Sequence, residues 1–267
     1  MNSPKEIAVA YCAAGEAKAK LPVYKTFILA IFAGFFIALA GAGSTVAAAT
    51  VENPSLAKFL SACIFPAGLL MVLIAGSELF TGNCLLIIPV LCRKIKIRAM
   101  IKNLIVVVIG NFIGSVIIAF LCSYGGVFAL FNEAVAKTVV NTAAAKCNIP
   151  FVQAVIKGIL CNFMVCLAVW MSFGAKTVSG KLAALFFPIL IFVACGFEHN
   201  VANMFYIPAG LFTVSNGAYT AINAVDGLNW ANFIVKNLIP VTIGNIIGGA
   251  GLIGAGYWTV YLKDLEK

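Results

Sequence analysis

His199 is the only histidine in this chain of 267 residues, and it stands in the polar stretch Gly196-Phe197-Glu198-His199-Asn200-Val201-Ala202-Asn203, with apolar sequence on both sides. A related octet lies earlier, Gly76-Ser77-Glu78-Leu79-Phe80-Thr81-Gly82-Asn83, again inside an apolar run. A lone histidine among apolar residues is commonly a satisfied core group. Inside a membrane, however, ionisable side chains are rare and mark ion or proton paths, so His199 is read as a proton donor or hydrogen-bond donor to a permeating species. Thr81 sits in the other octet, and its hydroxyl can both donate and accept. It could hand a hydrogen bond between solute and imidazole, the alternative being a threonine that satisfies its own loop.

Glu78 and Glu198 recur at one position of the two octets and suggest a pair of carboxylates for acid–base work. The structural reading is preferred: each acid is expected to accept hydrogen bonds from loop N–H groups, which are costly to leave bare in hydrocarbon. Asn83 and Asn203 are expected to serve backbone in the same way. An acid in an open pore would also repel an anion. Lys146, just before an apolar run, reads by itself as an exposed surface lysine. Lys157 lies about two turns into that run, roughly 10 Å by helical rise, and must snorkel, pair or face water.

The elements that carry these residues are set by hydropathy. Hydrophobic residues make up 63% of the chain and charged ones 10%, with mean hydropathy +1.06. Apolar stretches at 27–50, 59–92, 101–122, 151–175, 182–214 and 232–261 each approach or exceed the roughly 20 residues that cross a bilayer as helix. Alternation typical of barrel strands does not recur, which points to an all-α integral membrane fold with six transmembrane helices. The net charge of +9 is distributed by topology. Lysines and arginines gather before the first stretch, between the second and third, between the fourth and fifth, and after the sixth, where Lys263 and Lys267 stand. The opposite loops hold only Lys58, Lys137 and Lys146, which places both termini in the cytoplasm and argues against nucleic acid as a partner. No apolar core of signal type precedes residue 21. Ser3-Pro4-Lys5-Glu6 has the form of a capping box, so residues 1–21 are expected to form an interfacial helix on the cytoplasmic face. The nine cysteines show no metal-ligand spacing, and no cofactor or metal is expected.

A repeat organises the chain. Lys102-Asn103-Leu104-Ile105, then Ile109-Gly110-Asn111 and Gly114, returns as Lys236-Asn237-Leu238-Ile239, then Ile243-Gly244-Asn245 and Gly248. Phe65-Pro66 matches Phe187-Pro188, and the first and fourth stretches align only through Lys25 and Lys157. A single channel domain over 1–267 is expected, with repeats at 25–122 and 150–261. Three spans per repeat turn the second half over, giving an aquaporin-like layout around a pseudo-two-fold axis in the membrane plane. The second and fifth stretches are too long for one crossing and carry the polar octets, so both helices are expected to break there and line a pore. Gly110-x-x-x-Gly114 and Gly244-x-x-x-Gly248 signal close helix packing.

The segment 75–83, together with Leu160-Cys161-Asn162-x-x-Val165-Cys166 and Gly196-Phe197-Glu198-His199-x-Val201-Ala202-Asn203-Met204, resembles the signature segments of the formate/nitrite transporter family over about residues 5 to 260. Within that family the chain looks most like the hydrosulfide channels of anaerobic bacteria. The resemblance implies a homopentamer in the cell membrane, each protomer with its own pore for small anions. It also implies a central pair, His199 and Thr81, and a vestibule lysine, Lys146. Asn162 and Asn203 fall near the polar pore groups, and Phe65, Leu69, Leu79, Phe80, Val165 and Phe192 fall in two hydrophobic slits. Hydrosulfide, formate and nitrite fit such a path and sulfate does not, because apolar slits tax an ion that cannot shed or share its charge. An aquaporin-type channel for neutral solutes would carry paired Asn-Pro-Ala caps, which are missing. A membrane enzyme would need a nucleophile, metal cluster or second catalytic histidine near His199, so no enzymatic activity is expected.

Overall fold

In the computed structural model residues 1–266 are described, apart from 221 and 224; Lys267 lies outside the described residues. Ser3 and Glu6 start α1 (Pro4–Ala19) by exchanging hydrogen bonds: Ser3 N–H donates to Glu6 Oε2 at 2.7 Å, and Glu6 N–H to the Ser3 hydroxyl at 3.4 Å. The backbone bond from Ser3 holds the exposed Glu6 carboxyl below its usual range. The apolar face of α1, expected at the membrane surface, packs against the protein. Ile7, Ala8, Tyr11 and Cys12 are buried in the main core of the protein itself.

The described residues form helices throughout. Five are long and apolar enough to cross a membrane: α2 (Val23–Ala48), α3 (Pro54–Gly76), α5 (Ile97–Tyr124), α7 (Phe151–Ser172) and α10 (Trp230–Tyr261). Shorter apolar helices, α4 (Phe80–Leu91) and α8 (Val178–Ala194), flank the two polar octets, and α9 (Asn200–Ser215) follows the second. The expected second stretch is therefore α3 and α4 with a break between, and the fifth is α8 and α9. The breaks are shorter than the octets, because the helix resumes at Phe80 and at Asn200. Between α5 and α7 the sequence reading placed a loop; α6 (Ala134–Cys147) forms there instead and packs on α9. Its mix of alanine, valine and polar residues gives a helix too short and too polar to register as a span.

Close packing follows the glycines. A Cβ on Gly114 would strike the Ile31 carbonyl on α2, and one on Gly248 would strike the Ile159 carbonyl on α7. These contacts also fix which residues correspond in the two halves. Glu78 N–H donates to Leu29 O and Glu198 N–H to Lys157 O, both at 3.2 Å. Lys157 thus occupies the place of Leu29, which corrects the alignment of Lys157 with Lys25. α10 departs from α-helical winding at Phe233–Leu238 and Ile247–Ala255, where its bonds widen to π form.

Candidate functional site

The breaks are possible because Gly76 and Gly196 take left-handed backbone, φ +80° and +67°, which side chains with a Cβ rarely adopt. Each break exposes backbone groups that must be satisfied, and one asparagine from the neighbouring helix does this in each half. Asn111 Oδ1 accepts from Phe80 N–H at 2.9 Å, while its Nδ2 donates to Glu78 O at 2.9 Å and Ala30 O at 2.7 Å. Asn245 repeats the pattern: Oδ1 accepts from Asn200 N–H at 3.0 Å, and Nδ2 donates to Glu198 O at 3.0 Å and Gly158 O at 2.8 Å. The repeated Ile-Gly-Asn triplet signalled these residues in the sequence, where only its glycine was interpreted.

The glutamates behave differently from the expectation. Their carboxylates accept from side chains, not from loop N–H groups. Glu78 accepts from Lys18 Nζ at 2.7 Å and from Asn83 Nδ2 at 2.6 Å. Glu198 accepts from Lys146 Nζ at 2.9 and 3.0 Å and from Asn203 Nδ2 at 2.7 Å. Asn83 and Asn203 likewise bind side chains, donating to Asn103 Oδ1 and Asn237 Oδ1 at 2.9 and 2.7 Å. The reason is that Asn111 and Asn245 already serve the loop backbone, leaving the acids to compensate lysines. Lys146 is not a free surface residue: its side chain is 16% exposed, and its ammonium also lies 5.4 Å from the centre of the Tyr206 ring.

Two cavities flank the breaks. The first, about 390 Å³, is lined by Phe65, Phe192, His199, Asn203, Lys146 and Lys58 among others. The second, about 340 Å³, includes Leu69, Leu79, Gly82, Glu78, Lys18 and Lys181. Thr81 and His199 meet between them, with Thr81 Oγ1 3.0 Å from His199 Nε2. His199 is also the N-cap of α9, its Nδ1 accepting from Ala202 N–H at 3.0 Å. Nδ1 therefore carries no proton, so the neutral ring holds its proton on Nε2 and donates it to the threonine oxygen. The Thr81 O–H is then left to donate elsewhere.

The six residues expected in the slits are all buried. Phe65 meets Phe192 edge-on at 5.6 Å, Phe192 stacks on His199 at 6.0 Å, and all three line the first cavity. Leu69 and Leu79 line the second. Phe80 and Val165 pack in the core without lining either cavity. Asn162 supports the pair from behind, donating to Thr81 O at 3.2 Å and Asn245 O at 2.6 Å. Asn203 lines the first cavity, and its Oδ1 has no hydrogen-bond partner among the described residues. Sequence reasoning missed Lys18, Lys58 and Lys181 at the cavities, because their charges looked topological.

Apolar helices, two broken segments and a polar contact between paired cavities define a helical membrane channel. The sequence model of the formate/nitrite transporter family matches residues 5–259, and the chain belongs to that family. A probable formate transporter of Methanothermobacter thermautotrophicus is 37% identical over 98% of this chain and 98% of its own length. The formate channel FocA of Haemophilus influenzae is 42% identical over 89% and 87%. Among solved structures, a pentameric formate channel with formate bound superposes with TM-score 0.82 at 37% identity, covering 90% of this chain and 98% of that one.

Proposed function

We propose that this chain is a passive pore for small monovalent weak-acid anions, formate first, with nitrite and hydrosulfide as further permeants. The observation that carries the reading is the contact of Thr81 with His199 between two cavities, with the tautomer fixed by the α9 cap. An anion leaving the first cavity loses water at Phe65 and Phe192 and receives the Thr81 hydroxyl proton as a hydrogen bond, strengthened by the Nε2–H behind it. His199 acts as a donor through Thr81, because protonating Nδ1 would sacrifice the cap. Leu69 and Leu79 form the opposite slit, with Phe80 and Val165 as their backing, while Asn162 orients the threonine. Asn203 holds the Glu198 carboxylate at the first cavity by donating to its Oε2. Lys146 shapes the outer mouth together with Glu198.

The same reading gives six membrane crossings in two inverted halves, which the paired asparagine and glutamate bonds support. It places both termini in the cytoplasm of the plasma membrane, the first cavity outside, and five protomers around an axis, as in the formate channel it resembles. Placement in the hydrosulfide branch rests on sequence likeness alone, so sulfide flux is the measure of it. Uptake of labelled formate, nitrite and sulfide into proteoliposomes, with and without a pH gradient, tests the proposal. Formate uptake that saturates weakly, with sulfate excluded, is expected. Rapid sulfate entry, or no uptake of any of the three anions, would sink it.

A further inference from the structure

We propose that Lys58 and Lys181 recruit the anion at the two mouths, and that Lys146 and Lys18 serve mainly as counter-ions of the break glutamates. This rests on reading the Thr81–His199 contact as an anion pore.

The argument is one of charge accounting within each cavity. Each holds two lysines and one glutamate: Lys58, Lys146 and Glu198 in the first, Lys18, Lys181 and Glu78 in the second. In each, one lysine is committed. Lys146 binds both oxygens of Glu198 and rests against Tyr206, and Lys18 binds Glu78 and Asn83. Those ion pairs have little charge left to offer a solute. The other lysine of each cavity has no side-chain hydrogen bond or ion pair among the described residues, so each cavity carries one uncompensated positive charge.

Placement agrees. Lys58 follows the Asn53 cap of α3 and is exposed at the mouth; Lys181 follows the Thr177 cap of α8 and is half-buried. Both lie near the start of the helix that leads into a break, where the helix dipole is already positive. Neither gains from its own helix, and both add to the field that an incoming anion meets. The Lys58 ammonium hangs over the second break, 4.0 Å from where a Cβ on Gly196 would stand. Lys58, Glu198 and His199 line one cavity, so an anion held by Lys58 enters the cavity that ends at His199. Lys58 also feels repulsion from Lys146 and Lys157 and attraction from Glu198, with Lys157 outside the cavity lining.

The test is initial formate uptake at subsaturating concentration, in proteoliposomes of the unmodified protein, Lys58→Ala, Lys58→Arg and Lys181→Ala, at low and high ionic strength. Removing one charge several ångströms from the ion in a water-filled mouth should lower uptake roughly threefold at low salt. The difference should vanish at high salt, where exposed charges are screened. Lys58→Arg should keep the unmodified rate. Salt added on one side of the membrane should close the gap for Lys58→Ala, and salt on the other side the gap for Lys181→Ala. Unchanged uptake in both alanine variants at low salt would overturn the inference, as would a loss that Lys58→Arg shares or that salt leaves untouched. Absence of formate uptake in the unmodified protein would overturn the pore reading along with it.

Discussion

A threonine hydroxyl that accepts a hydrogen bond from Nε2–H keeps its own O–H to donate, so the proposed role of the pair rests on Thr81 as much as on the histidine. Thr81→Val preserves shape and removes both roles. One neutral hydrogen bond is worth about 1 kcal/mol, so flux of formate should fall roughly fivefold to tenfold, with Thr81→Ser close to the unmodified rate. Equal rates for the valine and serine variants, measured by stopped-flow uptake, would remove Thr81 from the path. Lys146 calls for a different expectation from that of a vestibule charge. Its partner Glu198 is 5% exposed, and Lys146→Ala would strand that carboxylate in the cavity wall. Breaking a buried pair costs about 3–5 kcal/mol, so Lys146→Ala should unfold in detergent at markedly lower temperature. The double variant Lys146→Met with Glu198→Gln should recover much of the loss. If Lys146→Ala melts like the unmodified protein, the pair is not the structural unit described.

At the scale of elements, the breaks are held by helices that do not contain them. Asn111 on α5 and Asn245 on α10 each bridge three backbone groups across a break. Asn245→Leu would orphan Asn200 N–H and the Glu198 carbonyl, at about 1–3 kcal/mol per buried group. Loss of the detergent-stable oligomer on size exclusion is the expected outcome, with Asn245→Asp milder because the acceptor survives; intact assembly of the leucine variant would count against this account. α1 obeys the same logic at lower cost. Its Glu6 carboxyl is held below the ordinary range by the cap, so the contribution is present above that range and fades as pH falls through the lowered value. Glu6→Ala should therefore loosen α1 at neutral pH, seen as faster hydrogen exchange, and matter less in acid, whereas Ser3→Ala, which keeps the backbone donor and loses only the hydroxyl cap, should cost about 1 kcal/mol at either pH. Much of this architecture was legible in the sequence, since apolar runs, the Lys-Asn and Ile-Gly-Asn repeats and the two octets each have a direct physical meaning. The partners were not. Lys18 meets Glu78 from 60 residues away. Periodicity carries no information on such a contact, and a lysine counted for topology looks the same whether it pairs or not. The α6 helix escaped for the opposite reason, being neither apolar enough for a span nor interrupted enough for a loop.

At the scale of the whole molecule, the paired cavities decide how an assembly should conduct. Both cavities and the Thr81–His199 contact are built from residues of one chain, so on the proposed reading each protomer carries its own path. The exposed apolar side chains on α2, α5 and α7, such as Ile28, Ile105 and Ile156, face outward from that path and are free to meet lipid or a neighbouring protomer. A pore on the axis between protomers would behave otherwise, since one defective subunit would spoil the shared channel. Mixing settles the matter. Unmodified and Thr81→Val chains, carrying different affinity tags, are co-expressed over a range of ratios, and the purified protein is reconstituted from each mixture. Formate flux should fall in a straight line with the fraction of Thr81→Val chains, reaching the residual rate of the variant. A steep fall at small fractions of the variant would mean that protomers share a path or open together, and the single-chain pore would have to be abandoned.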